Sequence, residues 1–98
     1  MFFSEKLVEI AKKYQYMPNT VIATHIIDAC YDKIDEIKKS DLNDDMIAAL
    51  RCVIASYNEA YNILNKQGVG ILKKDGLKNF LMQDKMFADY VNRRGIKL

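Results

Sequence analysis

Leu42-Asn43-Asp44-Asp45-Met46-Ile47, running on through Tyr57 and Tyr61 to Gln67 and Gly68, is the stretch that decides the fold. Asn43 supplies a side-chain oxygen for a free backbone N–H of a first helical turn, and Asp44 and Asp45 face the positive end of the helix dipole. Leu42, just before the cap, is placed to staple onto Ile47. Behind this start signal, Met46, Ile47, Leu50, Val53, Ile54, Tyr57, Ala60, Tyr61 and Leu64 recur at helical spacing, and Cys52 and Ile63 extend the arc further round. An apolar arc that wide predicts a central helix with neighbours on more than one side, ended by Gly68 in a left-handed C′ conformation.

Upstream, Asn19 or Thr20 is expected to cap a second helix that runs to about Lys39. At 100° per residue, Ala23, Ile26, Ile27, Cys30, Ile34 and Ile37 share one side of it, opposite His25, Asp28, Asp32, Asp35 and Glu36. A first helix is expected from Ser4, as N-cap, to about Tyr16. Phe3 is placed to staple onto Val8, and Leu7, Ile10, Ala11 and Tyr14 form one face. Met17, before Pro18, is pushed out of helical conformation and ends it.

Downstream the chain becomes choppier. Asp75 and Asp84 are expected to cap two short helices over about 76–82 and 85–94, the second ended by Gly95. The expected fold is therefore all-α, a small bundle of three main helices plus one or two short C-terminal ones in a single helical domain over residues 1–98.

Composition supports that reading. Half of the 98 residues are hydrophobic, 29% are charged, and four glycines with one proline leave too little turn material for many short strands. Without an apolar run of about 18 residues, and with Glu5 and Lys6 close behind Met1-Phe2-Phe3, the chain is expected to be neither exported nor membrane-inserted, hence cytoplasmic. Cys30 and Cys52 stand alone inside helical patterns and are expected to be reduced, buried small hydrophobes.

Catalytic or ligating constellations are weak. His25, Asp28, Asp32 and Glu36 form an i, i+3, i+4 stripe of the kind a helix-borne metal site uses, but Glu59 is the only acid inside the following helix. The stripe reads as a solvated acidic face and His25 as a surface histidine. Gly68-Val69-Gly70 before Lys73 and Lys74 matches no phosphate-loop pattern and reads as a helix end and a turn. Tyr57 and Tyr61 read as core. The expectation is a non-enzymatic protein without metal or cofactor.

The charge distribution is uneven. Residues 1–65 hold seven Lys or Arg against ten Asp or Glu, and residues 66–98 hold eight against three, so the C-terminal third is basic. Within it, Phe80, Met82, Met86, Phe87 and Tyr90 are interleaved with Lys78, Lys85, Arg93 and Arg94. Methionine and aromatic side chains give adaptable contact area, and a basic rim steers an acidic partner. These nine residues form the candidate binding surface. The alternative is that they close the core, or that the basic side chains lie against the acidic helices.

The function this supports is a protein-binding module, in the manner of a small inhibitor, immunity-type or phage-type accessory protein, with an acidic protein partner and the option of a homo-oligomer. A nucleic-acid-binding regulatory protein is the alternative, on the basic third alone. A small enzyme or a small-molecule-binding oligomer comes third.

Overall fold

A computed structural model describes residues 2–38, 42–68 and 73–98. Among them are five helices and no strand: α1 (Phe3–Lys13), α2 (Asn19–Lys38), α3 (Asp44–Lys66), α4 (Gly76–Met82) and α5 (Lys85–Arg93). Three main helices and two short C-terminal ones give the all-α architecture expected from the periodicity.

α2 and α3 form the centre. Ala23, Ile27, Cys30, Ile34 and Ile37 of α2 face Ile47, Leu50, Val53, Ile54, Tyr57, Ala60 and Leu64 of α3 in one core cluster. Five residues join helices about 30 Å long, at 1.5 Å per residue, and only an antiparallel pair can be joined by so short a connection. The Cys30 Sγ–H donates to the Val53 carbonyl at 3.5 Å across this interface. Burial pushes the Cys30 thiol up from its ordinary 9.0 to about 12, so the buried sulfur is an unreactive core group.

The start of α3 is as the sequence predicts: Asn43 Oδ1 accepts from the Met46 N–H at 2.9 Å, Ile47 is buried, and Leu42 packs against the core. Gly68 takes a φ of +77° at the far end. Val69 and Gly70, the rest of the glycine turn, and Lys39, the expected end of α2, lie outside the described residues.

Other local expectations are corrected. α1 begins one residue before Ser4, with Phe2 at the cap position and no side-chain cap, because Phe3 turns inward to pack against the core. Val8 stays exposed, so the Phe3–Val8 staple does not form. The helix ends at Lys13, and Tyr14 to Tyr16 form a turn closed by Met17 N–H donating to the Tyr14 carbonyl at 2.9 Å. Asn19 and Thr20 lie within α2 rather than capping it. The Pro18 carbonyl accepts from Val21 and Ile22 in the cap's place.

The acidic side of α2 carries a neighbour that its pattern does not predict. α1 lies along it antiparallel, burying Ile10 and Ala29 outside the main cluster and stacking Tyr14 on His25 with ring centroids 4.0 Å apart. A helix carrying Phe3, Leu7, Ile10 and Tyr14 on one side has to cover them, and the small Ala29 gives it a place to settle between the carboxylates. Asp28, Asp32, Asp35 and Glu36 themselves remain exposed. Cys52 is exposed rather than buried, since it lies at the margin of the α3 arc where nothing covers it.

α4 and α5 close the open side of the α2–α3 pair with Leu77, Leu81, Phe87 and Val91. Asp75 precedes α4 in a left-handed conformation (φ +59°) and makes no side-chain cap bond. Its carbonyl takes the Asn79 N–H at 2.9 Å instead. Asp84 does cap α5, accepting from the Phe87 N–H at 3.1 Å. Gly95, at φ +62°, ends α5 in a Schellman motif: Gly95 N–H donates to the Asn92 carbonyl and Ile96 N–H to the Val91 carbonyl.

Candidate interaction surface

The nine residues singled out in the basic third do not form one surface. Phe87 is 4% exposed and belongs to the core, together with Val91 one turn further on. Met86, one position before Phe87 on α5, is rotated out to 80% exposure. Two adjacent side chains thus do opposite work, one anchoring α5 and the other facing solvent, as the 100° step of the helix requires.

Met86, Tyr90, Arg93 and Arg94 come together along the outer side of α5 and, with Leu42 and Asp89, line a cleft of about 460 Å³ against the start of α3. The Arg94 guanidinium lies over the Tyr90 ring, 4.4 Å from its centroid, and is 3.7 Å from the Asp44 carboxylate. Both members of that ion pair are well exposed, Arg94 at 56% and Asp44 at 92%, so it is a solvent-screened contact rather than a lock. Tyr90 is partly buried, and its hydroxyl is withdrawn from solvent with no hydrogen-bond partner.

A second cleft, of about 270 Å³, adjoins the first through Leu42 and Met86 and continues over Ile37, Lys38, Leu81 and Asp84. Beyond it Phe80 lies on α4 with its ring edge-on to Tyr31 at 5.6 Å and under the Lys38 ammonium at 4.1 Å. Phe80 is therefore half covered by α2. Lys78 and Met82 fall elsewhere, in a cleft on the other flank of α5 with Val91, Asn92, Ile96, Lys97 and Leu98. Lys85 is exposed at the first position of α5.

Leu42, Lys38 and Asp89 are part of this surface, and sequence reading did not select them. Leu42 read as a staple for Ile47, and it does pack inward, yet it also floors both clefts. No local signal marks that second use, because it depends on α5 arriving beside residues more than forty positions earlier in the chain.

Two tertiary contacts hold the C-terminal third in register. The Tyr57 hydroxyl donates to the Lys73 carbonyl at 3.1 Å, and a Cβ placed on Gly76 would stand 2.7 Å from that hydroxyl. The first residue of α4 thus has to be bare for α3 and α4 to meet. Burial, with Tyr31 close by, raises Tyr57 from its ordinary 10.0 to about 12. Further on, Arg51 Nε–H of α3 donates to the Lys97 carbonyl at 3.2 Å, tying down the tail beyond α5.

Among the described residues no group of three or more His, Cys, Asp or Glu side chains converges as metal ligands would, and no helix is long and apolar enough to cross a membrane. Compared with family models, curated proteins and solved structures, the chain matches none.

Proposed function

We propose that this protein is a non-enzymatic protein-binding module that engages an acidic partner through the outer side of α5 and the start of α3. The observation that carries the reading is Met86. A large apolar side chain at 80% exposure stands between two adjoining clefts floored by Leu42, the first rimmed by Arg93 and Arg94 and the second by Lys38. Burying such a side chain in a partner is favourable, whereas leaving it in water is not, and methionine adapts its shape to what it meets. The guanidinium groups steer and orient an acidic partner rather than supplying most of the affinity. Phe87, placed in the core, leaves this binding set, as do Lys78 and Met82 on the opposite flank.

The test is capture from the native host with the wild-type chain, Met86→Glu and Arg93→Glu/Arg94→Glu, each with and without nuclease, read by mass spectrometry. A protein retained after nuclease by the wild type and lost by Met86→Glu supports the proposal. Loss of all captured material on nuclease treatment supports nucleic-acid binding, and recovery of this chain alone supports self-association. Both variants should melt like the wild type, because the substituted side chains are exposed and surface changes usually stay within about 0.5 kcal/mol.

A further inference from the structure

The seam between α1 and α2 differs from the rest of the packing. Ile10 is the one buried side chain of α1 and, with Ala29 of α2, lies outside the main core cluster. Phe3 packs against the core at one end of α1, and Tyr14 stacks on His25 beyond the other. Along the seam run two clefts, of about 140 and 170 Å³. A helix of 11 residues does not persist alone, so α1 is helical because α2 holds it. The match between the two is nonetheless specific. Lys6, Ile10 and Lys13, spaced i, i+4 and i+7 with Glu9 beside Lys6, line the seam together with Asp28, Ala29 and Asp32. Basic, apolar and basic side chains thus meet acidic, small and acidic ones.

The connection that follows α1 is the second feature. Its turn is closed by the Met17 N–H bond to the Tyr14 carbonyl, and it leaves Tyr16 92% and Met17 50% exposed. Pro18 biases the residue before it toward extended backbone, the conformation an opened connection takes. We infer that α1 is an exchangeable arm: two copies of this chain open the connection from Tyr14 to Pro18, and each lays its α1 in the α2 seam of the other. The seam fits a second copy's α1 because it fits its own, so every contact of α1 is kept and only the connection changes. In the exchanged pair the two extended connections run side by side, and Tyr16 and Met17 of each cover those of the other. Burying side chains that a single copy leaves in water is what favours the pair.

The experiment holds the full chain at millimolar concentration at its denaturation midpoint, returns it to buffer and separates it by size-exclusion chromatography. A dimer should appear. Nuclear magnetic resonance on a dimer made from equal amounts of isotope-labelled and unlabelled chain should then show the Tyr14 ring of one copy against the His25 ring of the other, the contact that has centroids 4.0 Å apart within one copy. Tyr16→Ser/Met17→Ser should lower the dimer fraction severalfold while leaving the melting temperature of the monomer unchanged, because both side chains are exposed there. Deleting Gln15 and Tyr16 leaves the connection too short to reverse, and should make the dimer the main species. Met86→Glu should leave the dimer fraction as it is, so this result and the one for the α5 surface are read separately.

A wild-type chain that returns wholly as monomer would overturn the exchange. So would a dimer in which every Tyr14–His25 contact stays within one copy, since another surface would then hold the pair. A deletion variant that folds as a monomer with α1 docked would overturn it as well, and if that variant does not fold, the wild-type dimer and its labelled contacts still decide.

Discussion

The long pair, α2 and α3, and the short pair, α4 and α5, are held by the same core but use their faces differently. α2 and α3 bury an unbroken stripe over 20 and 23 residues, so each turn adds its own contribution. α4 and α5 are 7 and 9 residues long, too short to be helical alone, and bury two side chains each. What holds them is a few anchors: Leu77 and Leu81, Phe87 and Val91, the Asp84 cap and the Schellman turn at Gly95. Phe80, Met82 and Tyr90 add partial cover, and the outer side that remains is where the exposed Met86 and the arginines stand. A short element docked at a few points can present a variable face at small cost in stability, whereas a long core helix cannot.

The sharpest way to break this contrast is to remove an anchor from each pair. Phe87→Ala should cost about 3–5 kcal/mol and Leu50→Ala about 2–5 kcal/mol, the ranges for truncating buried aromatic and aliphatic side chains. Denaturant melts of both variants measure this directly. A Phe87→Ala protein as stable as the wild type would mean that α5 is held by something other than the core.

Alkaline pH tests whether the interior of the long pair, and its junction with α4, stays dry. Cys30 and Tyr57 both have acid dissociation suppressed by burial, from 9.0 and 10.0 to about 12 in each case. Above the unfolded value the unfolded chain loses the proton first, so stability is full below pH 9 and declines from there towards pH 12. Each group contributes a slope of up to about 1.4 kcal/mol per pH unit. Denaturant midpoints measured across this range should fall with pH, and Cys30→Ala should flatten the first part of the decline. A flat profile would place water at both groups.

At the junction of the pairs, Gly76→Ala should cost about 1–3 kcal/mol, the range for overpacking, because the new methyl group meets the Tyr57 hydroxyl. In a Tyr57→Phe background the same substitution should cost almost nothing, since the ring carbon behind that oxygen lies at an ordinary 3.6 Å. Additive effects in a double-mutant cycle would show that α4 does not depend on this contact.

The smallest differences belong to the caps. Asn43→Ala and Asp84→Ala should each cost about 1 kcal/mol, because each gives up a side-chain bond to the first turn of its helix. Asp75→Gly should be neutral or stabilising, since Asp75 makes no such bond and holds a left-handed φ that glycine adopts freely. Thermal melts that rank Asp75 with the other two would assign its side chain a role that its geometry does not give.

These caps also mark how far the sequence was legible. Asn43, Asp84, Gly68 and Gly95 were correctly read from their neighbours alone, because capping is settled within four residues of chain. Ser4, Asn19, Thr20 and Asp75 carry the same residue types and do not cap. Phe3 is drawn into the core, Pro18 offers its carbonyl first, and Asp75 turns left-handed, all through packing or backbone geometry that residue type does not reveal. The candidate site divides in the same way. Its composition was visible, but Phe87 and Met86 are neighbours of similar hydrophobicity, and only the angle at which α5 meets α2 and α3 makes one core and the other surface.

By itself, then, the sequence determined the helical class, the α2 and α3 stripes, the central place of α3 and the basic character of the last third, because periodicity and charge are properties of order along the chain. Tertiary structure alone decided that α1 lies over the acidic side of α2, that Cys52 is exposed, and that Leu42 joins Met86, Tyr90 and the arginines in one cleft. Those outcomes depend on which helix covers which face. A helix with apolar residues on two sides carries no local signal for the side its neighbours will choose, and the choice is made by the total area buried when all five helices pack together.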